Sequence, residues 1–390
     1  MAETRIAIIG AGIGGLTCAL ALQRRGFRPM VFEQAPQLGE IGAGLTIPPN
    51  ATHGLEDVGL GDGLARLASR PYRQGVIHYR TGDVLVDQVR GDQPMQAYGA
   101  HYYQIHRADL HGLLAAAVAA NDGAAVHLSH AFAGLDHADS SVTVRFANGR
   151  SVTADAVIGA DGIKSEVRAA LWGRVPPRFT GNVAWRGLVP VDRLPPGLKI
   201  DPPSGAIVGN RHSMARYLIR DGTLVNYAAF AAKSGWEEEG WSVRSEVSEL
   251  LDEFHDWHAS IRDVLAATPP ELCFKWALHD RDPLPRWSRG RVTLLGDAAH
   301  PMLPFLGMGA AMGIEDGVVL ARCFAAGGSV GDIFARYEAA RRPRADFVLL
   351  ASRAAQDRLM GNKADGYTQA THRNEEAMGL FAYNPATAAI

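Results

Sequence analysis

Apolar runs and glycine-rich turns alternate from the first residues of the chain. Arg5–Ile9 predicts a buried strand that ends in the turn Gly10–Gly15. Leu16–Arg25 predicts a helix, because basic residues fill its last turn and Gly26 follows it. Pro29–Glu33 predicts a second strand. Strand, glycine turn, helix and strand in this order predict a βαβ unit.

Further helices and strands are predicted by the later apolar segments. The predicted helices are Ala108–Ala120, Gly313–Phe324 and Ile333–Arg353, and the predicted strands are Val142–Phe146, Val152–Ile158 and Val292–Leu295. Between the first two of these strands, Ala147, Asn148 and Gly149 predict a hairpin turn.

The middle of the chain follows a different pattern. From Gly181 to about Ala232, β-branched and aromatic residues alternate with Pro, Gly and Asn, which favours an antiparallel sheet, and Glu246–Leu265 is then helical. We therefore predict an α/β fold with an α+β insertion. A discontinuous Rossmann-like domain comprises residues 1–72, 101–178 and 278–360 and ends in a long helix, while residues 73–100 and 179–277 form an antiparallel-sheet substrate domain. Residues 361–390 are a polar, Ala-rich C-terminal tail to which the pattern assigns no structure.

The composition excludes several classes of protein. The 390 residues are 47% hydrophobic and 21% charged, which is typical of a globular protein whose core needs no disulfide or structural metal. A formal net charge of −2 provides no basic field, so neither nucleic acid nor a membrane is expected as a partner. Cys18, Cys273 and Cys323 are odd in number and far apart, which predicts neither a disulfide framework nor a metal site.

No targeting or spanning segment is evident in the sequence. The N-terminus has no basic region followed by a long apolar run, and no later apolar run approaches the roughly 20 residues that cross a bilayer. We expect a cytoplasmic protein, as a monomer or a homodimer.

The turn after the first strand has the pattern of a dinucleotide-binding loop. Gly10 permits the sharp turn, Gly12 lets the backbone approach a pyrophosphate, and Gly14 and Gly15 let the helix lie close to the sheet. A pyrophosphate would then lie at the helix N-terminus, where free N–H groups favour an anion. The alternative is a tight turn without a ligand.

The second predicted strand ends in Glu33, which lies 23 positions after Gly10 and so fits a carboxylate that binds a ribose hydroxyl. Its charge would repel a 2′-phosphate, so the site suits the ADP half of FAD or NAD and not NADP. The turn and Glu33 alone leave FAD and NAD open.

Two distant segments bear on that choice, Ala156–Ser165 and Val292–Pro301, the latter continuing to Gly317. Each is an apolar strand that ends in Asp-Gly or Gly-Asp, and open α/β sheets bind ligands at such strand ends. Asp297 could accept a hydrogen bond from a sugar or ribityl hydroxyl, and the glycines of Gly307–Gly313 could bring backbone N–H groups to a cofactor ring. The alternative is a pair of unrelated turns.

Taken in order, the three motifs carry a resemblance to a known family. Gly10-x-Gly12-x-x-Gly15, Ile158-Gly-Ala-Asp-Gly162 and Gly296-Asp-Ala-Ala-His-Pro301 resemble the single-component FAD-dependent aromatic-ring hydroxylases, which include the para-hydroxybenzoate, salicylate, 3-hydroxybenzoate and 6-hydroxynicotinate monooxygenases. The resemblance extends to about Arg353. It implies FAD bound through the glycine turn, Glu33 and Asp297, with Arg107 reaching the cofactor and Asp161 serving both its pyrophosphate and NAD(P)H. The other cofactor positions that we assign on this basis are Gln34, Gly44, Phe132, Gly309 and Ala310.

The resemblance also implies a reaction. NADH or NADPH would reduce FAD, O2 would form a C4a-hydroperoxide, and one oxygen atom would pass to a small phenolic or N-heteroaromatic substrate that carries a carboxylate. Two alternatives remain open: another flavoenzyme such as an oxidase, epoxidase or halogenase, and a binding protein for FAD or NAD without activity.

Substrate-binding candidates lie in the segment Asn210–Tyr217. In related hydroxylases a His and a nearby Tyr at this point contact the substrate, which suggests His212 as the base or phenolate-binding donor and Tyr217 as its partner. A regular strand would place His212 with Met214 and Arg216 on one face and Tyr217 on the other. A structural histidine is the alternative for His212.

Other polar and aromatic candidates have simpler alternatives. Arg186 and Arg216 could pair with a substrate carboxylate or form ordinary salt bridges. Thr46 stands where the 6-hydroxynicotinate enzymes have His, which argues against that exact substrate. Met308 stands where many relatives have Gln, which predicts a more apolar pocket over the flavin. The aromatic residues that could line this pocket or belong to the core are Tyr102, Tyr103, Phe230 and Phe305.

Overall fold

The structure is a computed structural model that describes residues 4–39, 42–233, 243–361, 364–370, 372 and 375–390. In these residues the strands are β1 (Ile6–Ile9), β2 (Pro29–Phe32), β3 (Gly44–Ile47), β4 (Arg73–His78), β5 (Val84–Val89), β6 (Tyr103–His106), β7 (Val126–His127), β8 (Phe132–His137), β9 (Val142–Phe146), β10 (Ser151–Ala154), β11 (Ala156–Gly159), β12 (Arg178–Pro190), β13 (Ser204–Val208), β14 (His212–Ile219), β15 (Leu224–Ala232), β16 (Val243–Arg244), β17 (Phe274–Asp280) and β18 (Val292–Leu294).

The helices are α1 (Ile13–Gln23), α2 (Pro49–Asp57), α3 (Gly61–Leu67), α4 (Gln93–Tyr98), α5 (Arg107–Asn121), α6 (Glu166–Trp172), α7 (Val247–Glu253), α8 (Ala259–Ala266), α9 (Gly309–Ala325) and α10 (Val330–Leu359). Within the described ranges, no helix is both long and apolar enough to cross a membrane.

A five-stranded parallel sheet in the order β18-β11-β1-β2-β7 carries the glycine turn at the end of β1. Its central strands β1 and β11 are fully apolar and buried because helices cover the sheet. The predicted βαβ unit is confirmed, although α1 begins at Ile13 and not at Leu16. We call this sheet and its helices the nucleotide-binding half.

A second, eight-stranded sheet has the order β16-β17-β12-β15-β14-β13-β4-β5, with antiparallel neighbours except for the parallel pair of β13 and β4. It is called the mixed sheet below. Helices α7 and α8 cover one of its faces, and side chains of Trp185, Tyr227 and Phe254 fill the space between. The predicted fold class is confirmed, with an antiparallel insertion that also contains one parallel pair.

Two elements differ from the prediction. The segment Val152–Ile158 is two strands and not one: β10 forms the predicted hairpin with β9, whereas β11 joins the parallel sheet. The hairpin turn contains Gly149 at a φ of +80°. The helix predicted over Glu246–Leu265 is divided into α7 and α8, because residues 254–258 form a turn.

Candidate active site

Two glycines of the first turn are required by its tight backbone, whereas a third borders open space. Gly10 has a φ of +108°, and a Cβ there would lie 2.5 Å from the Ala160 carbonyl oxygen. A Cβ on Gly15 would lie 2.1 Å from the Gly10 oxygen. By contrast, a Cβ on Gly12 would meet no atom within 4 Å. The open space in front of Gly12, at the N-terminus of α1, fits a bound phosphate.

Gly14 belongs to a close contact between α1 and the segment that follows β18. Its Cβ would lie 2.8 Å from a methyl group of Leu295 and 3.5 Å from the Cα of Gly313. A Cβ on Gly317 would likewise lie 2.8 Å from the Cys18 nitrogen. Small residues therefore let α1 and α9 approach closely, which brings the third motif beside the first.

Glu33 follows β2 and points back to the glycine turn. Its carboxylate accepts hydrogen bonds from the backbone N–H groups of Ala11 and Ala35, both at 2.9 Å. A carboxylate has about four acceptor positions, so these two bonds leave room for ribose hydroxyls. Of the neighbouring positions assigned to the cofactor, Gln34 is exposed, and Phe132 at the start of β8 packs against the core of this half.

The third motif forms a turn that presents Asp297. Gly296 has a φ of +61°, and the Arg168 side chain donates to the carbonyl oxygen of Ala298 at 3.0 Å. The side chain of Asp297 is exposed to solvent. Desolvation by the surrounding protein nevertheless raises the pKa of its carboxyl, while the positive charges of His300, Arg107 and Arg168 act to lower that pKa. A carboxyl of this kind at the bottom of a cleft fits an acceptor for a ligand hydroxyl.

The N-terminus of α9 opens onto the same cleft. A Cβ on Gly309, the first residue of α9, would lie 4.0 Å from a carboxylate oxygen of Asp297. Ala310 follows it and is half-buried. The structure therefore places Gly309 beside Asp297 and, through the contact of Gly14 with Gly313, brings the third motif next to the glycine turn.

A buried ionic network supports this turn from below. Asp316 accepts from the Gly296 N–H at 3.0 Å, from His300 Nε2 at 2.6 Å and from Arg341 Nε at 2.7 Å. Arg341 also contacts Glu315 at 2.7 Å. The side chains of His300, Glu315, Asp316 and Arg341 are all at most 1% exposed. The network connects α9 and α10 to the strand end that carries Asp297.

Asp161 has a local partner set of its own. Its carboxylate accepts from the Ser165 hydroxyl at 2.5 Å and from the backbone N–H groups of Glu166 and Val167 at 2.8 and 3.0 Å. It therefore caps α6, and its predicted role toward the cofactor and NAD(P)H stays a prediction. Arg107 begins α5, and its backbone N–H donates to Ala43 at 2.8 Å.

The face of the mixed sheet that α7 and α8 leave uncovered is turned toward the nucleotide-binding half. Tyr217 on β14 lies against β3, since a Cβ on Gly44 would meet the tyrosine ring at 2.5 Å. Asn226 on β15 accepts from the Gly44 N–H at 2.6 Å. Gly44 thus joins the two halves, and any side chain at that position would separate them.

Small side chains form the floor of the cleft between the halves. Ala206, Ala215 and Ala228 are lateral neighbours in the centre of the mixed sheet, and all three are partly exposed although they are far from its edges. Phe230 stands beside them and packs against Phe305 of the nucleotide-binding half, with ring centroids 4.8 Å apart and an interplanar angle of 41°. An uncovered row of alanines walled by aromatic rings fits a flat, largely apolar ligand.

His212 and Tyr217 are not brought together. His212 lies on the face that α7 and α8 cover, where Nε2 contacts Glu253 at 3.0 Å, Nδ1 contacts the Asn210 carbonyl at 2.9 Å and the ring packs on Phe254. The strand is regular, as the alternation predicted. Ser213 is the polar residue at this end of β14 that shares the face of Tyr217. The position of His212 gives no support to a role as substrate base.

Arg186 and Arg216 also lie on opposite faces. Arg216 is buried on the covered side, where its guanidinium donates to the Pro202 carbonyl at 3.4 Å and burial lowers its pKa to about 10. Arg186 lies on the cleft side over the ring of Phe274, 5.1 Å from its centroid. It lines a small cavity of about 60 Å³ with Gly42, Ala43 and Asn226.

The remaining candidate residues either lie at the cleft or belong to the hydrophobic core. Met308 and Tyr103 are buried in the core of the nucleotide-binding half. Thr46 donates to the Gly307 carbonyl at 3.1 Å and so closes the gap between β3 and the loop before α9. Tyr102 is half-buried near Thr46 and Tyr217.

Several residues of the site were missed by the sequence interpretation. Asn226 and Arg168 each hold a segment of the site and act on residues far away in the chain, so neither has a distinctive spacing. His300 and Asp316 stood in the segment Val292–Gly317 that the sequence singled out, but their bond to each other was not predicted. Among the described residues, no group of three or more His, Cys, Asp or Glu is arranged to hold a metal ion.

Comparison with known proteins agrees with this geometry. Residues 3–352 match the family described as FAD binding domain. The chain is 37% identical over 350 residues to the 6-hydroxynicotinate 3-monooxygenase of Pseudomonas fluorescens, covering 88% of this chain and 89% of that protein. It is 39% identical over 341 residues to a 3-amino-4-hydroxybenzoate 2-monooxygenase of Streptomyces platensis, covering 87% and 84%.

A similar solved structure is a salicylate hydroxylase substrate complex, with a TM-score of 0.81, 26% identity and coverage of 98% of this chain and 96% of that one. Motifs, fold and relatives thus agree, and the resemblance seen in the sequence is confirmed. The chain belongs to the single-component FAD-dependent aromatic-ring hydroxylases and is an FAD-dependent monooxygenase.

Proposed function

We propose that this monooxygenase uses NADH or NADPH and O2 to hydroxylate a small phenolic or N-heteroaromatic acid. The observation that carries the proposal is the partly exposed row Ala206, Ala215 and Ala228, on the face of the mixed sheet that packs on the nucleotide-binding half through Phe230 and Phe305. In the overall reaction, one oxygen atom enters the aromatic C–H bond and the other leaves as water, with two electrons supplied by the reduced nicotinamide. FAD, when bound, supplies the electron transfer and the activation of oxygen.

The FAD-binding residues follow from the fit of the site. We propose that the pyrophosphate lies before Gly12 and the N-terminus of α1, that Glu33 binds the ribose of the adenosine part, and that Asp297 binds a ribityl hydroxyl. Arg107, Gln34, Gly44, Phe132, Asp161, Gly309 and Ala310 stay predicted contacts. The domain bounds predicted from the sequence and the state as monomer or homodimer likewise stay predictions.

Tyr217 is the residue proposed to act directly on the substrate. Burial raises the pKa of its phenol well above the ordinary value, so the hydroxyl keeps its proton at any physiological pH. A protonated phenol is a hydrogen-bond donor, so Tyr217 would stabilise the ionised hydroxyl of a phenolic substrate and would not remove its proton. The negative charge on that oxygen makes the ring more reactive toward an electrophilic oxygen atom.

The substrate class is inferred from the relatives together with the cleft. The two sequence relatives are named for 6-hydroxynicotinate and 3-amino-4-hydroxybenzoate, each an aromatic acid with a ring hydroxyl. Arg186 lies on the cleft side of the mixed sheet, which supports it as the arginine that attracts such a carboxylate, whereas Arg216 lies behind the sheet. Thr46 in place of a histidine favours a ring different from 6-hydroxynicotinate.

The test combines a spectrum with turnover. The purified protein is expected to contain or take up FAD, and its oxidation of NADH or NADPH is expected to accelerate with a member of a panel of hydroxybenzoates, aminohydroxybenzoates and hydroxypyridine carboxylates. Mass spectrometry should show a product heavier by one oxygen atom, labelled when 18O2 is used. Accelerated oxidation that yields only hydrogen peroxide across the panel would instead indicate an oxidase, and no acceleration by any compound would contradict the proposed substrate class.

A further inference from the structure

The chain continues beyond α10 and returns to the cleft. Residues 375–390, here called the C-terminal segment, contact both halves of the molecule. Phe381 is 1% exposed and belongs to the core of the nucleotide-binding half. A segment without recognisable pattern in the sequence is therefore a built part of the structure.

Arg90, next to the end of β5, is the residue to which the segment is fixed. Its Nη1 donates to Glu376 at 2.5 Å, and its Nε donates to Gln74 at 2.6 Å. The guanidinium lies over the rings of Tyr102 and Phe381, at 5.6 and 5.8 Å from their centroids. Arg90 is 4% exposed, so these contacts are shielded from water and screened little by salt.

Tyr102 connects this assembly to the substrate cleft. Its ring packs against Phe381 with centroids 5.8 Å apart, and its hydroxyl is 3.5 Å from the Gln74 amide. Thr46 forms a hydrogen bond with the Tyr102 hydroxyl, and Tyr217 interacts with it electrostatically. The Tyr102 hydroxyl therefore lies near the two residues that close the β3 side of the cleft. The C-terminal segment thus packs on a ring whose hydroxyl lies near Thr46 and Tyr217.

Glu375 adds a carboxyl to the same place. Its charge raises the pKa of both Tyr102 and Tyr367, although burial is the larger cause in each case, so it lies within electrostatic reach of both phenols. The Leu380 N–H donates to the Glu375 carbonyl at 3.0 Å and the Gly379 N–H to the Glu376 carbonyl at 2.9 Å. This turn fixes the two carboxylates relative to Phe381.

The far end of the segment is anchored on the nucleotide-binding half. Arg344 donates to the Leu380 carbonyl at 3.0 Å and lies 4.2 Å from the ring centroid of Tyr383. Arg322 donates to the carbonyl oxygens of Pro385 and Ala388 at 2.8 and 2.7 Å. The segment is therefore bonded to Arg90 beside the mixed sheet and to Arg344 and Arg322 of the nucleotide-binding half.

We propose that the C-terminal segment forms the end wall of the substrate cleft, with Tyr102 as a specificity-determining residue that the Arg90–Glu376 pair and Phe381 hold in position. The wall limits the size of the substituent that a substrate ring carries at the end away from Arg186. This inference rests on the proposed function, because it concerns which aromatic acids that function accepts.

Two variants weaken the wall in different ways. Phe381→Leu removes the ring behind Tyr102, and Glu376→Gln removes the charge that pairs with Arg90. Asp365→Asn is the matched control, because it also neutralises a carboxylate of the tail, one that contacts His78 at 3.1 Å but is 79% exposed. FAD content and the thermal midpoint of each variant report on folding.

The measurement compares ring pairs that differ by one substituent: 4-hydroxybenzoate with 3-methyl-4-hydroxybenzoate, and 6-hydroxynicotinate with 5-chloro-6-hydroxynicotinate. For each, kcat/KM is measured in turnover and Kd from the change in the flavin spectrum of the oxidised enzyme. In Phe381→Leu and Glu376→Gln we expect the ratio of the larger to the smaller member to rise by about tenfold, the effect of about one methylene in an apolar pocket. Asp365→Asn should keep the wild-type ratio.

The outcomes separate this inference from the proposed function. A wild-type enzyme that neither binds nor oxygenates any aromatic acid would overturn the proposed function and this inference with it. Wild-type turnover with ratios unchanged in both variants would overturn the wall alone, as would an equal change in Asp365→Asn. If Phe381→Leu does not fold, the ratio in Glu376→Gln decides.

Discussion

Asp316 and His300 share a hydrogen bond of 2.6 Å in the interior of the protein, although one lies within α9 and the other in the turn after β18. The same carboxylate oxygen accepts from the Gly296 N–H, so Asp316 holds both ends of the turn that presents Asp297. Burial works against ionisation, but the charges of His300 and Arg341 outweigh it and lower the pKa of Asp316 to about 2. The carboxylate is therefore ionised throughout the physiological range.

Replacing this carboxylate should affect both stability and cofactor binding. Asp316→Asn leaves the buried Arg341 with one acidic partner fewer, which we expect to lower the free energy of unfolding by about 3 kcal/mol. The Gly296 turn loosens, so FAD affinity should fall as well. Urea unfolding of the apoprotein and FAD titration by fluorescence quenching measure the two effects. Asp332→Asn is the control: it neutralises the exposed carboxylate in the capping box of α10 and should leave FAD affinity unchanged.

Two glycines of one turn should respond in opposite ways. Gly12→Ala adds a Cβ that meets no protein atom and keeps an ordinary φ of −73°, so the apoprotein should remain folded while FAD binding weakens by more than about tenfold. Gly15→Ala would place its Cβ 2.1 Å from the Gly10 oxygen, so the fold itself should be lost. Circular dichroism and FAD titration of both variants provide the check. A Gly12→Ala enzyme with wild-type FAD affinity would contradict the pyrophosphate position.

The proposed donor role of Tyr217 predicts a kinetic effect without a change in cofactor binding. Tyr217→Phe should lower kcat by about 10²-fold, the usual loss for one donor to a developing or fixed oxyanion. Burial raises the pKa of Tyr217, and burial together with Glu375 raises that of Tyr102 to about 12, so neither phenol loses its proton below pH 10. The alkaline limb of the pH profile should therefore stay in place in Tyr217→Phe. A shift of that limb would show that Tyr217 acts as a base.

His212 and Glu253 should affect stability and not catalysis. The hydrogen bond from His212 and the Lys233 ammonium lower the pKa of Glu253 from 4.5 to about 2, and Glu253, against burial, raises that of His212 above 6.5. The lowered carboxyl pKa gives stability that is present above pH 4.5 and lost as the pH falls toward 2. The raised histidine pKa gives stability that is present below pH 6.5 and lost as the pH rises through its folded value.

The difference in unfolding free energy between wild type and Glu253→Gln should therefore be largest between about pH 4.5 and 6.5, at about 1–2 kcal/mol. Urea unfolding at pH 3, 5.5 and 8.5 measures it. His212→Gln should keep kcat within about threefold, because its ring lies behind the mixed sheet. A loss of kcat of the size expected for general base catalysis, about 10²-fold or more, would restore His212 as the base.

Local patterns were sufficient to predict the nucleotide-binding half. Gly10, Gly12 and Gly15 follow an apolar strand directly, so the turn and its helix are encoded within a few residues. The alternation along β14 also predicted which face each side chain takes. What alternation could not predict was which face meets the cleft, since that depends on α7 and α8 covering the other side. His212 was chosen for its chemistry, whereas the packing of Phe254 decides where it lies.

Contacts between distant residues were not predictable in the same way. Asn226 acts on Gly44 across 182 positions, and Arg90 acts on Glu376 across 286. Each depends on one side chain meeting one backbone or carboxylate group, which leaves no periodic trace in the sequence. The C-terminal segment was for this reason unassigned, although it carries Phe381 and both carboxylates of the proposed wall.

The order of strands in the two sheets has a consequence for synthesis of the protein. β1 pairs with β11, β11 with β18, and β4 with β13. Both sheets therefore need strands that are synthesised long after their first strands have left the ribosome. Neither half is a continuous stretch that can fold as it emerges, and such distant pairings make folding slow. In the nascent chain, β4 of the β4–β5 hairpin has no partner on its other edge until β13, which ends at residue 208, has been synthesised. We expect flavin capture to begin only when nearly the whole chain has been released.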